Sequence, residues 1–386
     1  MVNSTNTSIT ITWTKPYPTL GVEKHYQIMI WNKEARYAIN MNDLNDTRIV
    51  NVTEAVLKGL KAYRNYYVKV RAFTTIGAGN WSDIIIAGTK EGIPTGPAVN
   101  VTLTTSLKRM LEFQWEPPNR NERNGIIIGY QYNFANMRTG LAEINTVNGT
   151  ENVFEELTPY VYYTFEVGAM SKIGIGPYSR PVITRTLEAV PPAPEELTAS
   201  NTDTTSITIQ WLEPDPPHGV IIRYHIQYWM TSDLMSTAMS AMNENTAFTL
   251  SGLQPNDEYS FRVQAETSAG RGNWSSNVTA EAQEGLPSAP SDLQATGFGK
   301  TSIVLEWRKS TNPNGLIKDY AIKYQALEKP YDAYFISDDR YITLKVPTTA
   351  ADDAIQYLVD DLEPSTKYEF RVSGRTSAEA RRGSNH

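Results

Sequence analysis

No cysteine occurs anywhere in this chain of 386 residues. That absence removes disulfides, zinc–thiolate sites and cysteine nucleophiles together. It leaves the compartment open, because modules of about 95 residues can be stabilised by a hydrophobic core without cross-links. Histidine is scarce too: the four are His25, His218, His225 and His386, at spacings that match no metal motif. Basic charge is in deficit, the formal net charge being -7. Nothing offers the basic face that nucleic acid or an anionic membrane requires, so no polynucleotide partner is expected. The longest aliphatic stretches, such as Ile84–Ile86 and Ile126–Ile128, fall far short of the roughly 18 residues of a membrane span. The start, Met1-Val2-Asn3-Ser4-Thr5, has neither the basic nor the apolar region of a signal peptide. Targeting and membrane attachment are therefore expected only through segments outside this sequence.

What the chain does have is 22 Tyr, 22 Pro, 24 Gly and 8 Trp, a composition suited to short strands and turns. Tryptophan exposes a repeat: Trp13, Trp115, Trp211 and Trp307 are 102, 96 and 96 residues apart. Each ends an alternating apolar run, Ile9-x-Ile11-x-Trp13, Leu111-x-Phe113-x-Trp115, Ile207-x-Ile209-x-Trp211 and Ile303-x-Leu305-x-Trp307. Period two means a strand with one buried face. A Pro-rich loop then leads to Gly-aliphatic, with a Tyr five residues past the Gly: Gly21/Tyr26, Gly125/Tyr130, Gly219/Tyr224 and Gly315/Tyr320. The glycine is expected to supply the positive φ of a turn into the third strand. Further on, a Leu precedes a Tyr by six residues in every repeat: Leu60/Tyr66, Leu157/Tyr163, Leu253/Tyr259 and Leu362/Tyr368. That spacing predicts a tyrosine corner, the ring packed inside and the hydroxyl bonded to backbone upstream.

Together these motifs resemble the fibronectin type III family over nearly the whole chain. The resemblance implies an all-β fold of four tandem immunoglobulin-like sandwiches, each of two sheets and seven strands. Pro pairs mark the linkers (Pro94/Pro97, Pro191/Pro194, Pro287/Pro290), giving expected modules at 1–90, 91–188, 189–285 and 286–386. The linkers are short, so the array should be a semi-rigid rod of roughly 120 to 140 Å. By the same spacings the first module should lack most of its first strand and the fourth its last, as in a fragment of a longer protein. The fourth also has 55 residues between Trp307 and Leu362 against 42 in the second and third, the extra ones falling around Tyr331 to Asp353. They read as an extended hairpin or loop at the sheet edge.

The glycine pairs Gly77/Gly79, Gly174/Gly176 and Gly270/Gly272, followed by Ser82, Ser179 and Ser275, read as hairpin turns rather than phosphate loops, since no Lys-Ser/Thr follows. Glu379 stands where the fourth module's first glycine would be. Trp81 and Trp274 in these turns are placed to stack on Lys69 and Arg71, or on Arg262. This is similar to the Trp-Ser element of cytokine receptors. Fibronectin's integrin motif sits in the same turn, but here Arg271-Gly272-Asn273 lacks its carboxylate, so the activity is not expected to carry over. His218 and His225 read as solvent-exposed. The acidic pairs Asp352-Asp353 and Asp360-Asp361 read as solvated surface rather than calcium ligands.

Nine Asn-x-Ser/Thr sequons occur, at Asn3, Asn6, Asn45, Asn51, Asn80, Asn100, Asn148, Asn273 and Asn277, where composition alone would give about four. The excess favours secretion, although sequons inside strands, such as Asn100, could go unused. No catalytic residue, metal site, cofactor or small-molecule substrate is expected. The reading is an extracellular protein-binding and spacer array, resembling those of receptor-type tyrosine phosphatases and sidekick-like cell adhesion proteins, in a single-pass membrane protein. One alternative is the ectodomain of such a phosphatase, with its catalytic domain outside this chain. Another is a set of intracellular muscle filament modules, which the sequons disfavour.

Overall fold

The computed structural model describes residues 2–17, 21–32, 47–328, 342–347 and 354–378. By contacts the chain divides into two compact units, Met1–Glu188 and Ala189–His386.

In the first unit, the first module contains β1 (Val2–Ser4), β2 (Ser8–Thr12), β3 (Glu23–Asn32), β4 (Thr47–Val50), β5 (Glu54–Lys58), β6 (Asn65–Thr74) and β7 (Ile85–Gly88). They form two antiparallel sheets, ordered β1-β2-β5 and β4-β3-β6-β7. The second module contains β8 (Val99–Ser106), β9 (Leu111–Glu116), β10 (Gly129–Asn136), β11 (Ala142–Val147), β12 (Glu151–Phe154), β13 (Tyr162–Ser171), β14 (Gly174–Tyr178) and β15 (Val182–Arg185). Its sheets run β12-β9-β8 and β11-β10-β13-β14, and β15 also pairs β13, so β14 and β15 are two halves of one interrupted final strand.

The second unit repeats the plan. Its first module has β16 (Glu195–Thr202), β17 (Ser206–Leu212), β18 (Arg223–Met230), β19 (Met239–Asn243), β20 (Ala247–Ser251), β21 (Glu258–Thr267), β22 (Gly270–Arg271) and β23 (Val278–Glu281). Its second has β24 (Ser291–Phe298), β25 (Ile303–Arg308), β26 (Asp319–Glu328), β27 (Ile342–Pro347), β28 (Ala354–Val359) and β29 (Lys367–Arg375). The long middle segment of the fourth module thus contributes an edge strand, β27, paired with β26 from Asp319↔Pro347 to Tyr324↔Ile342. The residues flanking β27, including Ser337 to Arg340 and Asp352-Asp353, lie outside the described residues, as do Glu379 and His386. Strand β1 is three residues long, whereas β8, β16 and β24 are eight each.

Alternation places the cores where the sequence puts them. Each module has a separate hydrophobic cluster, and in each the repeat Trp meets the repeat Tyr edge-on across the sheets: Trp13–Tyr26 at 5.4 Å, Trp115–Tyr130 at 5.6 Å, Trp211–Tyr224 at 5.3 Å and Trp307–Tyr320 at 5.5 Å. Such pairs add about 0.5–1.5 kcal/mol beyond area burial. Burial pushes the Tyr224 phenol up to about 12. Tyrosine corners form in the first, second and fourth modules: the hydroxyls of Tyr66, Tyr163 and Tyr368 accept the amides of Lys61, Thr158 and Glu363 at 2.7, 3.0 and 2.8 Å. The turn leading into each corner holds two residues at positive φ, one before the repeat Leu (Gly59, Glu156, Gly252, Asp361) and one three before the Tyr (Tyr63, Tyr160, Asn256, Ser365).

One sequence expectation is corrected, that of the glycine φ. Of the glycines opening the third strand, Gly21 and Gly315 have positive φ, but in the second and third modules the left-handed residue stands one position earlier, at Asn124 (φ 51) and His218 (φ 58). Asn314 (φ 49) takes the same position beside Gly315. Asn tolerates that region because its short polar side chain bonds locally. The first strands also carry a shared irregularity, with Asn100, Glu196 and Asp292 left-handed at a register shift against the neighbouring strand. This is a β-bulge, and it takes Asn100 out of regular pairing.

Candidate interaction site

The side chains with most to do outside the cores gather in two places, the joints where a linker enters a module and the outer face of the four-stranded sheet. Among the described residues no group of three or more His, Asp or Glu is placed to hold a metal ion. Asp360 and Asp361 are exposed, and Asp361 serves the turn before the tyrosine corner.

The joints are built the same way three times. The linker residues are Gly92-Ile93-Pro94, Ala189-Val190-Pro191 and Gly285-Leu286-Pro287. The amide of the small residue donates to the carbonyl of the left-handed residue in the module it enters: Gly92 to Asn124 at 2.7 Å, Ala189 to His218 at 2.8 Å, Gly285 to Asn314 at 2.7 Å. Its carbonyl accepts a buried hydroxyl from the end of the sixth strand: Ser171 Oγ at 3.0 Å, Thr267 Oγ1 at 2.9 Å, Thr376 Oγ1 at 2.8 Å. The same left-handed side chains reach the next carbonyl, Asn124 Nδ2 to Ile93 at 3.0 Å and Asn314 Nδ2 to Leu286 at 2.7 Å, with His218 Nδ1 3.2 Å from Val190. Each linker is thereby held by three hydrogen bonds, each contributing about 1 kcal/mol.

The glycine pairs acquire a second reason here. A Cβ on Gly176 would stand 2.8 Å from both the carbonyl oxygen and Cβ of Pro94, and one on Gly272 only 2.1 Å from the Pro191 oxygen. The second glycine therefore lets the linker backbone pass beneath the hairpin, a close approach that only a missing side chain permits. Among the described residues Gly79 in the first module has only Ala72 O nearby, at 3.3 Å. The serine of each turn ties the hairpin down: Ser82, Ser179 and Ser275 accept the amides of Val70, Val167 and Val263 on Oγ at 3.0, 3.1 and 3.0 Å. At the fourth module Glu284 adds a carboxylate clamp, accepting the amides of Leu316 at 2.9 Å and Ser377 at 3.0 Å as well as the Ser377 hydroxyl. The Ser377 hydroxyl, helped by the two amides and by Lys318, holds the Glu284 carboxyl below its usual range.

On the outer face the expected stacking is present. In the first module Lys69 Nζ lies 4.7 Å and the Arg71 guanidinium 4.4 Å from the Trp81 ring. The ladder continues at both ends, Lys69 reaching Trp31 at 5.8 Å and Arg71 reaching Phe73 at 5.1 Å. Trp31 then stacks on Tyr67 and Phe73 on His25. In the third module Arg262 stands 4.5 Å from Trp274 and forks onto Gln227 Oε1. The second module replaces Trp by Tyr178, whose hydroxyl donates to Gln131 Oε1 at 2.7 Å.

His225 and His218 depart from expectation. His225 is 6% exposed, and its Nε2 donates to Glu266 Oε2 at 2.6 Å. Both faces of β18 are covered at this point. Its cross-strand neighbours are Gln264 and Met242, and Gln264 is itself buried, so outward alternation did not mean exposure. The hydrogen bond from His225, with Arg223 and Arg271 nearby, holds the Glu266 carboxyl below its usual range. His218 is half-buried in the joint described above. The sequence carried a readable sign of the joints that spacing to Trp did not reveal: a Ser or Thr eight residues past each corner Tyr, at Thr74, Ser171, Thr267 and Thr376. The sequon asparagines Asn3, Asn6, Asn51, Asn80, Asn100, Asn148, Asn273 and Asn277 are all exposed, and Asn45 lies outside the described residues.

Comparison with known proteins agrees with this architecture. The Fibronectin type III domain family matches residues 1–87, 94–185, 192–281 and 288–385. Tyrosine-protein phosphatase Lar of Drosophila melanogaster is 29% identical over 95% of this chain and 18% of its own length. Phosphatidylinositol phosphatase PTPRQ of Homo sapiens is 27% identical over 98% and 15%, and protein sidekick-2 of Mus musculus is 28% identical over 83% and 15%. The chain thus spans less than a fifth of the length of each of these relatives. With four matched segments covering most of its residues, the chain belongs to the fibronectin type III family.

Proposed function

We propose that this chain is an extracellular spacer and protein-binding array of a cell-surface adhesion or receptor protein, with module boundaries near residues 90, 188 and 285. The repeated joint carries the reading. Within each compact unit, a linker held by the same three hydrogen bonds, at Gly92 and at Gly285, fixes how the second module meets the chain that precedes it, which is what a spacer must do. Exposure of the eight described sequon asparagines supports an extracellular setting, and membrane attachment would come from segments outside the chain. The relatives' names favour one more specific setting, the ectodomain of a receptor-type tyrosine phosphatase.

The absence of cysteine makes the spacer reading simple to test. Spin labels at Ser8→Cys and Thr104→Cys, on the first and second modules of one compact unit, should give a narrow distance distribution. A distribution as broad as that of a flexible linker would sink the proposal. Expression behind a secretory leader in animal cells should give a folded product whose mobility shifts on glycosidase treatment. An unglycosylated, retained product would remove the extracellular assignment.

A further inference from the structure

At the joint of the third and fourth modules lies a cleft of ≈ 660 Å³, lined by residues 254–257 of the turn between β20 and β21, residues 286–288 of the linker and residues 311–315 of the loop between β25 and β26. The matching joint of the first two modules has a cation at this point. Arg64, in the turn between β5 and β6, is half-buried and crosses to the second module, where its Nη2 donates to the Arg120 carbonyl at 2.8 Å, while its Nη1 donates to the Tyr63 carbonyl at 3.1 Å. The two joints correspond bond for bond. Ala282 donates to the Asp257 carbonyl at 3.0 Å as Thr89 does to that of Arg64 at 3.0 Å, and Ser288 donates to the Asn312 carbonyl at 2.9 Å as Thr95 does to that of Glu122 at 2.8 Å. Asp257 therefore stands in the place of Arg64.

That exchange reverses the charge of one wall and keeps the acceptors of the other groups. Tyr63 and Asn256 share a left-handed φ, 53 and 68, which repeats at Asn256 the carbonyl that receives Nη1. Ser310 stands two residues before Asn312 as Arg120 stands two before Glu122. Among the described residues no hydrogen bond reaches the carbonyl oxygen of Asn256 or Ser310, and none reaches the Asp257 carboxylate. Asp257 is also the one charged side chain among those lining the cleft, beside the amides of Gln254, Asn256, Asn312 and Asn314. A half-buried carboxylate next to open carbonyls favours a ligand that only donates, and a guanidinium does so with five N–H groups in a planar fork.

We propose that this cleft is a docking site for an arginine side chain of a partner protein. The occupant's chemistry is read from the first joint, where the chain's own Arg64 bridges the same two walls. The incoming guanidinium pairs with both oxygens of Asp257 and donates its remaining N–H groups to the Asn256 carbonyl and the loop at Ser310. Lysine fits less well, because a point charge cannot meet a carboxylate and two carbonyls in one plane. One joint thus closes on its own cation and the other leaves the place to a partner. The inference rests on the reading of the chain as a protein-binding array and deepens it, and its failure would leave the spin-label and glycosylation tests of that reading untouched.

The test titrates the whole chain with the blocked pentapeptide Gly-Gly-Arg-Gly-Gly and with its lysine counterpart, followed by NMR. Saturable binding of the arginine peptide is expected, with shifts at the side-chain amides of Asn256, Asn312 and Asn314. Asp257→Asn should weaken it about tenfold or more, as loss of a charge-assisted pair does, with the Tm of the free protein nearly unchanged. Asp257→Arg should rebuild the bridge of the first joint and abolish binding. Absence of saturable binding at millimolar peptide, shifts confined to other residues, equal binding of the lysine peptide, or binding retained in either variant would each overturn the proposal. Self-association of the chain that Asp257→Asn abolishes would show that a second copy supplies the arginine, and would overturn the assignment to a partner protein.

Discussion

Substituting the second hairpin glycine separates the linker's role from the turn's. Gly272 does not have a left-handed φ, so Gly272→Ala brings no backbone strain; its Cβ instead falls 2.1 Å from the Pro191 oxygen and 2.9 Å from the Pro191 carbonyl carbon. The linker must move. Forced overpacking costs about 1–3 kcal/mol, and displacing Ala189 weakens its bonds to His218 and Thr267, each worth about 1 kcal/mol. The free energy of opening this joint should fall by about 2–4 kcal/mol, which speeds exchange of the Ala189 amide about 30- to 1,000-fold. Hydrogen exchange on the whole chain reads this directly. Gly176→Ala, with contacts at 2.8 Å, should accelerate the Gly92 amide in the same sense by less. Gly79→Ala shares the turn but among the described residues meets only Ala72 O at 3.3 Å, and should change stability by no more than about 0.5 kcal/mol. Ala189 exchange within threefold of the parent, or a Gly79→Ala loss as large as that of Gly272→Ala, would refute the argument that the glycine is there for the linker.

Trp81→Ala should destabilise the first module by about 1–2 kcal/mol, twice the cation–π loss of Trp274→Ala, because Trp81 meets two cations and Trp274 one; urea unfolding of both variants, with Arg71→Met completing a cycle, checks the ratio. Tyr163→Phe removes the acceptor of the Thr158 amide and should cost about 1–2 kcal/mol, read as a lower denaturation midpoint at unchanged slope. Glu266 and Glu284 have folded pKa values below their unfolded ones. Their contribution is therefore fully present above the unfolded carboxylate value of about 4.3 and is lost as pH falls through the lower folded values. Thermal unfolding should show Glu284→Gln losing stability at neutral pH and converging on the parent in acid; parallel curves would refute it.

The cores were legible because the same packing problem is solved four times. Ile9, Ile11 and Trp13 alternate inward as Ile207, Ile209 and Trp211 do, and the Tyr after Gly-aliphatic meets the Trp at nearly one distance throughout. The Trp–cation stacking was legible for a related reason, since a turn of fixed length returns its aromatic to a fixed point on the sixth strand. His225 was misread because period two reports which side of the sheet a residue is on, whereas burial depends on what crosses that side. The joints were less legible still. Ser171 and Gly92 are 79 residues apart, Thr267 and Ala189 78, Thr376 and Gly285 91. Gly-x-Gly announces a backbone that tolerates no side chain, but a turn and a passing strand ask for the same residue.

The joints and the sheet faces vary in opposite ways. At the joints the bonded atoms are mostly main-chain amides and carbonyls, so the residue in the left-handed position can be Asn or His with the geometry kept. On the faces the bonds are between side chains, and each module has its own set: an aromatic–cation ladder around Trp81, a Tyr178–Gln131 pair, and a His225–Glu266 contact beside Arg262 and Trp274. Main-chain hydrogen bonds hold position with little dependence on sequence, whereas specificity requires side-chain differences between alternatives. A module's placement on its linker is thus insulated from changes on its face, and the faces are free to differ. By that reasoning a face substitution such as Trp81→Ala should leave exchange of the Gly92 amide at the next joint unchanged, and a linked response would mean that placement and recognition are not separable in this fold.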